Sequence, residues 1–181
     1  MITDSQFNFI PPGQPLSLVG AAGVSFRSAI VDLLGAGVGQ APPGIIGLAI
    51  PFGVPDPGIG GIRPEIDMPI STTFTTANSA TVNAQLQYAP DLGAGGGYQP
   101  GTWVTAAETG TIAAANLLAG NLLARFPFLP NPPGTTRVRF VSINFVIPSA
   151  TNFTAGAIGF STITLVRDDQ ANKFAGKNFS V

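Results

Sequence analysis

Cysteine and histidine are both absent from this chain of 181 residues. Their absence excludes disulfides, Cys/His zinc sites, a thiol nucleophile and a histidine-based triad. Charge is scarce as well. The 8 basic and 9 acidic residues make up 9% of the chain, against about 25% in an average soluble domain. The net charge of −1 comes without a basic cluster, so the electrostatic footprint of a nucleic-acid binder is missing. The opening Met1-Ile2-Thr3-Asp4-Ser5-Gln6 lacks the positive start of a signal peptide, and none is expected. Uncharged runs at 33–55 and 140–166 are interrupted by Gly, Pro, Asn, Ser and Thr, which argues against membrane helices. With no secretion signal expected, the sequons at Asn152 and Asn178 are read as chance.

What is present is 45% hydrophobic residues with 23 Gly and 17 Pro. That hydrophobicity, at so low a net charge, is unlike a disordered chain. The length suits one domain, or one domain with an arm. A surface this poor in charge is a solubility risk for a free monomer, so much of it is expected to be covered by something else.

Residues 1–15 read as an extended N-terminal arm, in which Phe7, Phe9 and Ile10 need a docking surface on this body or a neighbour. Residues 24–34 read as a strand, and the Gly/Pro-rich stretch 35–63 as a long loop or projecting hairpin. Two alternating runs follow. Ile66, Met68, Ile70, Thr72 and Phe74 share one face; Ala80, Val82, Ala84, Leu86 and Tyr88 share another. The turn at 75–79 between them predicts a β-hairpin over 65–90.

Another strand begins at Trp103. Residues 111–119 suit a short helix, and 120–128 a strand with Leu122, Ala124, Phe126 and Phe128 in phase. Two long strands are expected at 136–147 and 155–167. In the first, Arg137 and Arg139 share the face of Val141, Ile143, Phe145 and Ile147; in the second, Ile158, Phe160, Thr162, Thr164 and Val166 align. Residues 168–181, with Phe174 and Phe179, read as a second arm. The expected architecture is all-β: a β-sandwich or jelly-roll-like domain over 16–167, with an arm at each end.

Catalytic readings are weak. Glu65 and Asp67 share a strand face and read as a solvated pair more readily than as a glycosidase pair. Asp168, Asp169 and Asp91 are oxygen donors without a calcium-loop pattern. Ser and Thr are plentiful, but the only bases offered to them are Lys173 and Lys177, both in the tail. The glycine runs at 35–39 and 93–97 lack the strand–loop–helix setting and the lysine of a phosphate loop. Arg137 and Arg139 can fork to carboxylates at an interface or a rim. No enzyme, metal or cofactor is expected. A carbohydrate-binding sandwich would use Trp103, Tyr88 or Tyr98 as stacking platforms, although core packing is the better expectation for Trp103.

Several short segments carry a family likeness: Ser79 to Gln87, Arg137 to Val141, Asn152 to Gly156, and Leu165 to Gln170. Thr3 to Gln6 and Ser28 to Gly35 join them. In order and spacing they resemble the small jelly-roll-like cement, or decoration, proteins of podovirus-type phage heads. The stretch 35–63 looks longer than its counterpart in that family, and the tail beyond Gln170 looks like an addition. The resemblance implies a structural protein on the capsid exterior, made in the host cytoplasm, that bridges neighbouring major-capsid subunits. It implies a homo-oligomer, a dimer before a trimer, with no nucleic-acid or membrane partner. The expected interface residues are Phe7, Phe9, Ile10, Arg137, Arg139, Phe174 and Phe179. A minor capsid, vertex or tail-associated protein is the alternative within the same class.

Overall fold

The computed structural model describes residues 8–32, 64–92, 99–128 and 138–165. The expected interface residues Phe7, Arg137, Phe174 and Phe179, the 35–63 segment and the C-terminal arm lie outside the described residues. In chain order the strands are β1 (Asn8–Ile10), β2 (Leu16–Ser17), β3 (Phe26–Arg27), β4 (Val31–Asp32), β5 (Pro64–Thr76) and β6 (Thr81–Pro90). They continue as β7 (Val104–Glu108), β8 (Ile112–Ala113), β9 (Leu122–Pro127), β10 (Val138–Val146), β11 (Phe153–Ile158) and β12 (Ser161–Leu165). A one-turn 3-10 helix, Ala114–Asn116, stands where the short helix was expected.

The strands form two antiparallel sheets. In the first, β11 and β12 run in sequence along one side of β5, and β9 lies on its other side. β1 and β2 line the outer edge of β12 and β11. In the second, β3 and β4 pair with one side of β10, β6 with its other side, and β7 and β8 with the far side of β6. Numbered by chain order as eight rows, the sheets read 1-8-3-6 and 2-7-4-5. That order is a jelly roll, one of the two all-β architectures expected from the sequence.

The strong alternation of β6 buries Ala80, Val82, Ala84, Leu86 and Tyr88 in one core with Ile66, Met68, Ile70 and Phe74 of β5. The predicted 65–90 hairpin is nevertheless wrong. β5 and β6 lie in different sheets. Each presents its apolar face to the shared interior, so the chain arches over the core instead of folding flat. The arch is tied by Thr76, whose Oγ1 accepts hydrogen bonds from the backbone N–H groups of Asn78 (3.2 Å) and Ala80 (3.0 Å). Ser79 takes φ 57° to complete it.

Bulges and breaks shift other predicted phases. On β9 the register slips between Met68–Ala124 and Pro69–Leu122, so Leu123 is buried and Leu122 exposed. The expected 155–167 strand breaks at Gly159 and Phe160. Phe160 is exposed, while Ile158, Ser161, Thr162 and Ile163 are buried. The expected 24–34 strand is two short pieces separated by Ser28 to Ile30. Ser28 closes that gap from inside. Its Oγ accepts from the Ile143 N–H at 2.9 Å and lies 3.2 Å from the Ser142 Oγ. Ser28→Ala leaves a buried N–H without its acceptor. It should cost about 1–2 kcal/mol in urea unfolding, with no change in the slope.

Candidate functional site

Of the expected interface residues, the structure describes Phe9, Ile10 and Arg139, and none of them presents a free surface. Phe9 and Ile10 are each 1% exposed. They belong to β1, which is hydrogen-bonded beside β12. The end of the expected arm is therefore a strand of the body, and its apolar side chains dock on this chain's own core. Pairing with β12 satisfies the backbone and the core takes the side chains, so Phe9 and Ile10 are not available to a neighbour.

Arg139 leaves the face expected for it. Val138 opposes Pro90 while Phe140 opposes Ala89, which leaves Arg139 as the extra residue of a bulge. Its guanidinium meets Asp32, the cross-strand partner of Phe140, with Nε donating at 2.9 Å and Nη2 at 2.8 Å. Nη1 donates to Asp91 at 2.7 Å. The Asp32 hydrogen bonds hold the Arg139 guanidinium above its ordinary pKa; burial opposes them and Asp91 adds to them. Glu65 and Asp67 do share a face, as expected, and both meet Arg125 on β9. Arg125 Nε lies 2.6 Å from Asp67 and 3.3 Å from Glu65. Asp91, earlier a calcium-ligand candidate, is thus paired with an arginine. Among the described residues no three acidic side chains gather into a metal cluster.

The third described arginine is different. Arg27 lies on the outer face of the second sheet, where register aligns Arg27, Asn144, Gln85 and Glu108 in one row. Ser142, Gln87 and Thr105 form the next. The amides bond along and between these rows. Gln87 Nε2 donates to Gln85 Oε1 and Thr105 Oγ1, each at 3.1 Å. Gln85 and Asn83 both donate to Glu108 Oε2, at 3.3 and 2.9 Å.

Arg27 Nη2 donates to Gln87 Oε1 at 2.7 Å, and its guanidinium carbon sits 4.3 Å from the centre of the Trp103 ring. The cation–π stack explains why Trp103, expected in the core, is half-buried on the outside instead. Arg27 Nη1 is enclosed and has no hydrogen-bond partner. Burial pushes the guanidinium below its ordinary pKa.

Beside Arg27 lies a cavity of about 300 Å³. Its apolar walls come from Phe9, Ile10, Pro11, Pro15 and Leu16, and Arg27 is the charged group in the lining. It opens where the outer rows of the two sheets meet, a seam held by the Ala29 N–H to Phe9 carbonyl bond at 2.9 Å. The sequence patterning held no signal for this site. Arg27 and Trp103 are far apart in the chain, and only the strand register brings them together.

No protein-family model matches the chain, and no curated protein matches it.

Proposed function

We propose that this is a structural virion protein that binds the outside of a phage capsid and cements neighbouring major-capsid subunits. The reading is of a non-enzymatic protein whose work is binding. The observation that carries it is the disposition of charge on the jelly-roll body. Arg125 and Arg139 each hold two carboxylates of their own chain. The second sheet turns a layer of amides and hydroxyls outward between Arg27 and Glu108, and Val19, Ile30, Leu92, Val104 and Leu122 are exposed. Such an exterior suits a partner that stays in place more than free solution. The order of the family-like segments supports the same reading.

The test is to strip heads of this protein, add it back and heat them. Restored heads should resist thermal rupture, and imaging should place the chain on the shell at a copy number matching its capsomers. Copies confined to one vertex or the tail would instead favour the minor-component reading. Add-back with neither density on the particle nor protection would refute both. The arm also needs a cleaner truncation than its composition suggested. Deleting 1–12 would remove Phe9 and Ile10 from the core, so the cut must stop before Asn8. Deleting 168–181 should leave the melting temperature of the free protein unchanged and reduce head protection. Full protection by that variant would remove the C-terminal segment from the interface.

A carbohydrate-binding reading keeps one supporting observation, the Trp103 ring beside the amide rows. It loses Tyr88, which is fully buried, while Tyr98 lies outside the described residues. Arg27 covers one face of the Trp103 ring. A glycan array without binders would dismiss it.

A further inference from the structure

We propose that Glu108 is the counter-ion of Arg27, joined to it across the second sheet by two glutamine amides that the two charges orient. The inference concerns the mechanics of the body and stands apart from the shell-binding reading. Three arginines are described in full, and Arg125 and Arg139 each meet two carboxylates directly. Among the described residues Arg27 meets none. Its Nη2 donates to the Gln87 amide oxygen at 2.7 Å, its guanidinium stacks on Trp103, and its Nη1 is enclosed without a partner. A partly desolvated cation is costly unless charges or dipoles compensate it. From Gln87 the hydrogen bonds run on in one direction. Gln87 Nε2 donates to Gln85 Oε1 at 3.1 Å, and Gln85 Nε2 donates to Glu108 Oε2 at 3.3 Å. Asn144 Nδ2 joins at Gln85 Oε1 (3.4 Å), and Asn83 Nδ2 joins at Glu108 Oε2 (2.9 Å).

The charged ends set the direction. A guanidinium only donates and a carboxylate only accepts, so Gln87 turns its oxygen to Arg27 and Gln85 turns its NH2 to Glu108. The middle bond then follows, from Gln87 nitrogen to Gln85 oxygen. Flipping either amide would set like against like at two links. Aligned amide dipoles strengthen one another where water is thin, and Gln87 is 8% exposed. Direct attraction cannot do the same. Arg27 and Glu108 stand three strand spacings apart along their row, about 14 Å, which is beyond the screening length at physiological salt. The chain begins on β3 and ends on β7, the outer strands of this sheet. β3 has two residues, and β7 is bulged between its Thr105 and Ala107 pairs. Side-chain bonds thus reinforce a short or broken ladder at both edges and hold the amide face as one unit.

The test is a double-mutant cycle in urea unfolding with Arg27→Met, Glu108→Gln and the pair together. It is repeated in a Gln87→Met background and in about 1 M NaCl. Each single variant should be less stable than wild type, and the pair should lose less than the two losses combined. The expected coupling is a factor of at least about three in the unfolding equilibrium constant. It should persist in high salt and vanish once Gln87→Met cuts the chain. A smaller factor, as for side chains that act independently at this separation, would overturn the inference. So would a coupling that salt removes or that survives Gln87→Met, because either describes attraction through space. NMR of Glu108→Gln gives a second reading should an Arg27 variant fail to fold. The Gln87 side-chain amide protons should shift and exchange faster there, although Gln87 makes no hydrogen bond to Glu108. Unchanged Gln87 signals would overturn the inference as well.

Discussion

Alanine at position 156 should destabilise the protein by about 3–5 kcal/mol. Two effects coincide there. Gly156 has φ +139°, a conformation that residues with a Cβ rarely adopt. A Cβ built on it would also lie 2.2 Å from Cδ1 of Phe74 and 2.6 Å from Cε1. Phe74 has little room to withdraw. It is 4% exposed, and its ring meets Phe153 edge-on with centroids 4.9 Å apart. The carbonyl of Gly156 also accepts the Leu18 N–H at 3.2 Å, so a shift of β11 would disturb the segment after β2 as well. Urea and thermal unfolding of Gly156→Ala measure the loss. Phe74→Leu in the same chain should recover part of it, because the clash and the ring are coupled. A loss under about 1 kcal/mol would mean that the strand relaxes and the close approach is not needed.

Arg139→Met should cost about 3 kcal/mol. Its side chain is 9% exposed, and its removal leaves Asp32 and Asp91 partly buried without their cation. Breaking a buried ion pair from one side commonly costs about 3–5 kcal/mol, and the partial exposure of the two carboxylates puts this case at the lower end. Arg125→Met provides the control. That side chain is 45% exposed, so water already screens its ion pairs. Glu65 and Asp67 are about as exposed as Asp32 and Asp91, so the difference rests on the arginine, and the loss should be about 1 kcal/mol. Adding Asp32→Asn and Asp91→Asn to Arg139→Met should return most of the stability, because the uncompensated charges go with them. Similar losses at Arg139 and Arg125 would show that burial of the Arg139 cluster contributes little.

Much of the fold was legible because one face of each long strand is buried. β6 is the clear case, with apolar and polar residues alternating from Ala80 to Tyr88. Alternation reports which face turns inward, but not which sheet a strand joins, and so β5 and β6 read as a hairpin. Single extra residues escaped the pattern for a related reason. The bulges at Leu123 and Arg139 and the break at Gly159 each reverse the faces beyond them, and a bulge appears only when a strand is set against its partner. Whether Phe9 and Ile10 dock on this body or on a neighbour stayed open in the sequence, because they show a need for cover without showing whose cover it is. Arg27 and Trp103 were hidden by distance along the chain. One drew no attention as a lone strand arginine, and the other was assigned to the core by its size.

The jelly-roll order has a consequence for how the chain is made. The first row, β1 with β2, lies against β12 and β11, and the second, β3 with β4, lies against β10. Those neighbours are the last of the described strands to leave the ribosome. During synthesis the N-terminal strands wait unpaired, and neither sheet can close until β10 to β12 have emerged. Pairings this distant in sequence make for slow closure and expose apolar edges meanwhile. Misassembly between nascent chains, more than instability of the finished body, is then the main hazard, and slower translation through 138–165 or a holdase on the N-terminal strands should raise the soluble yield.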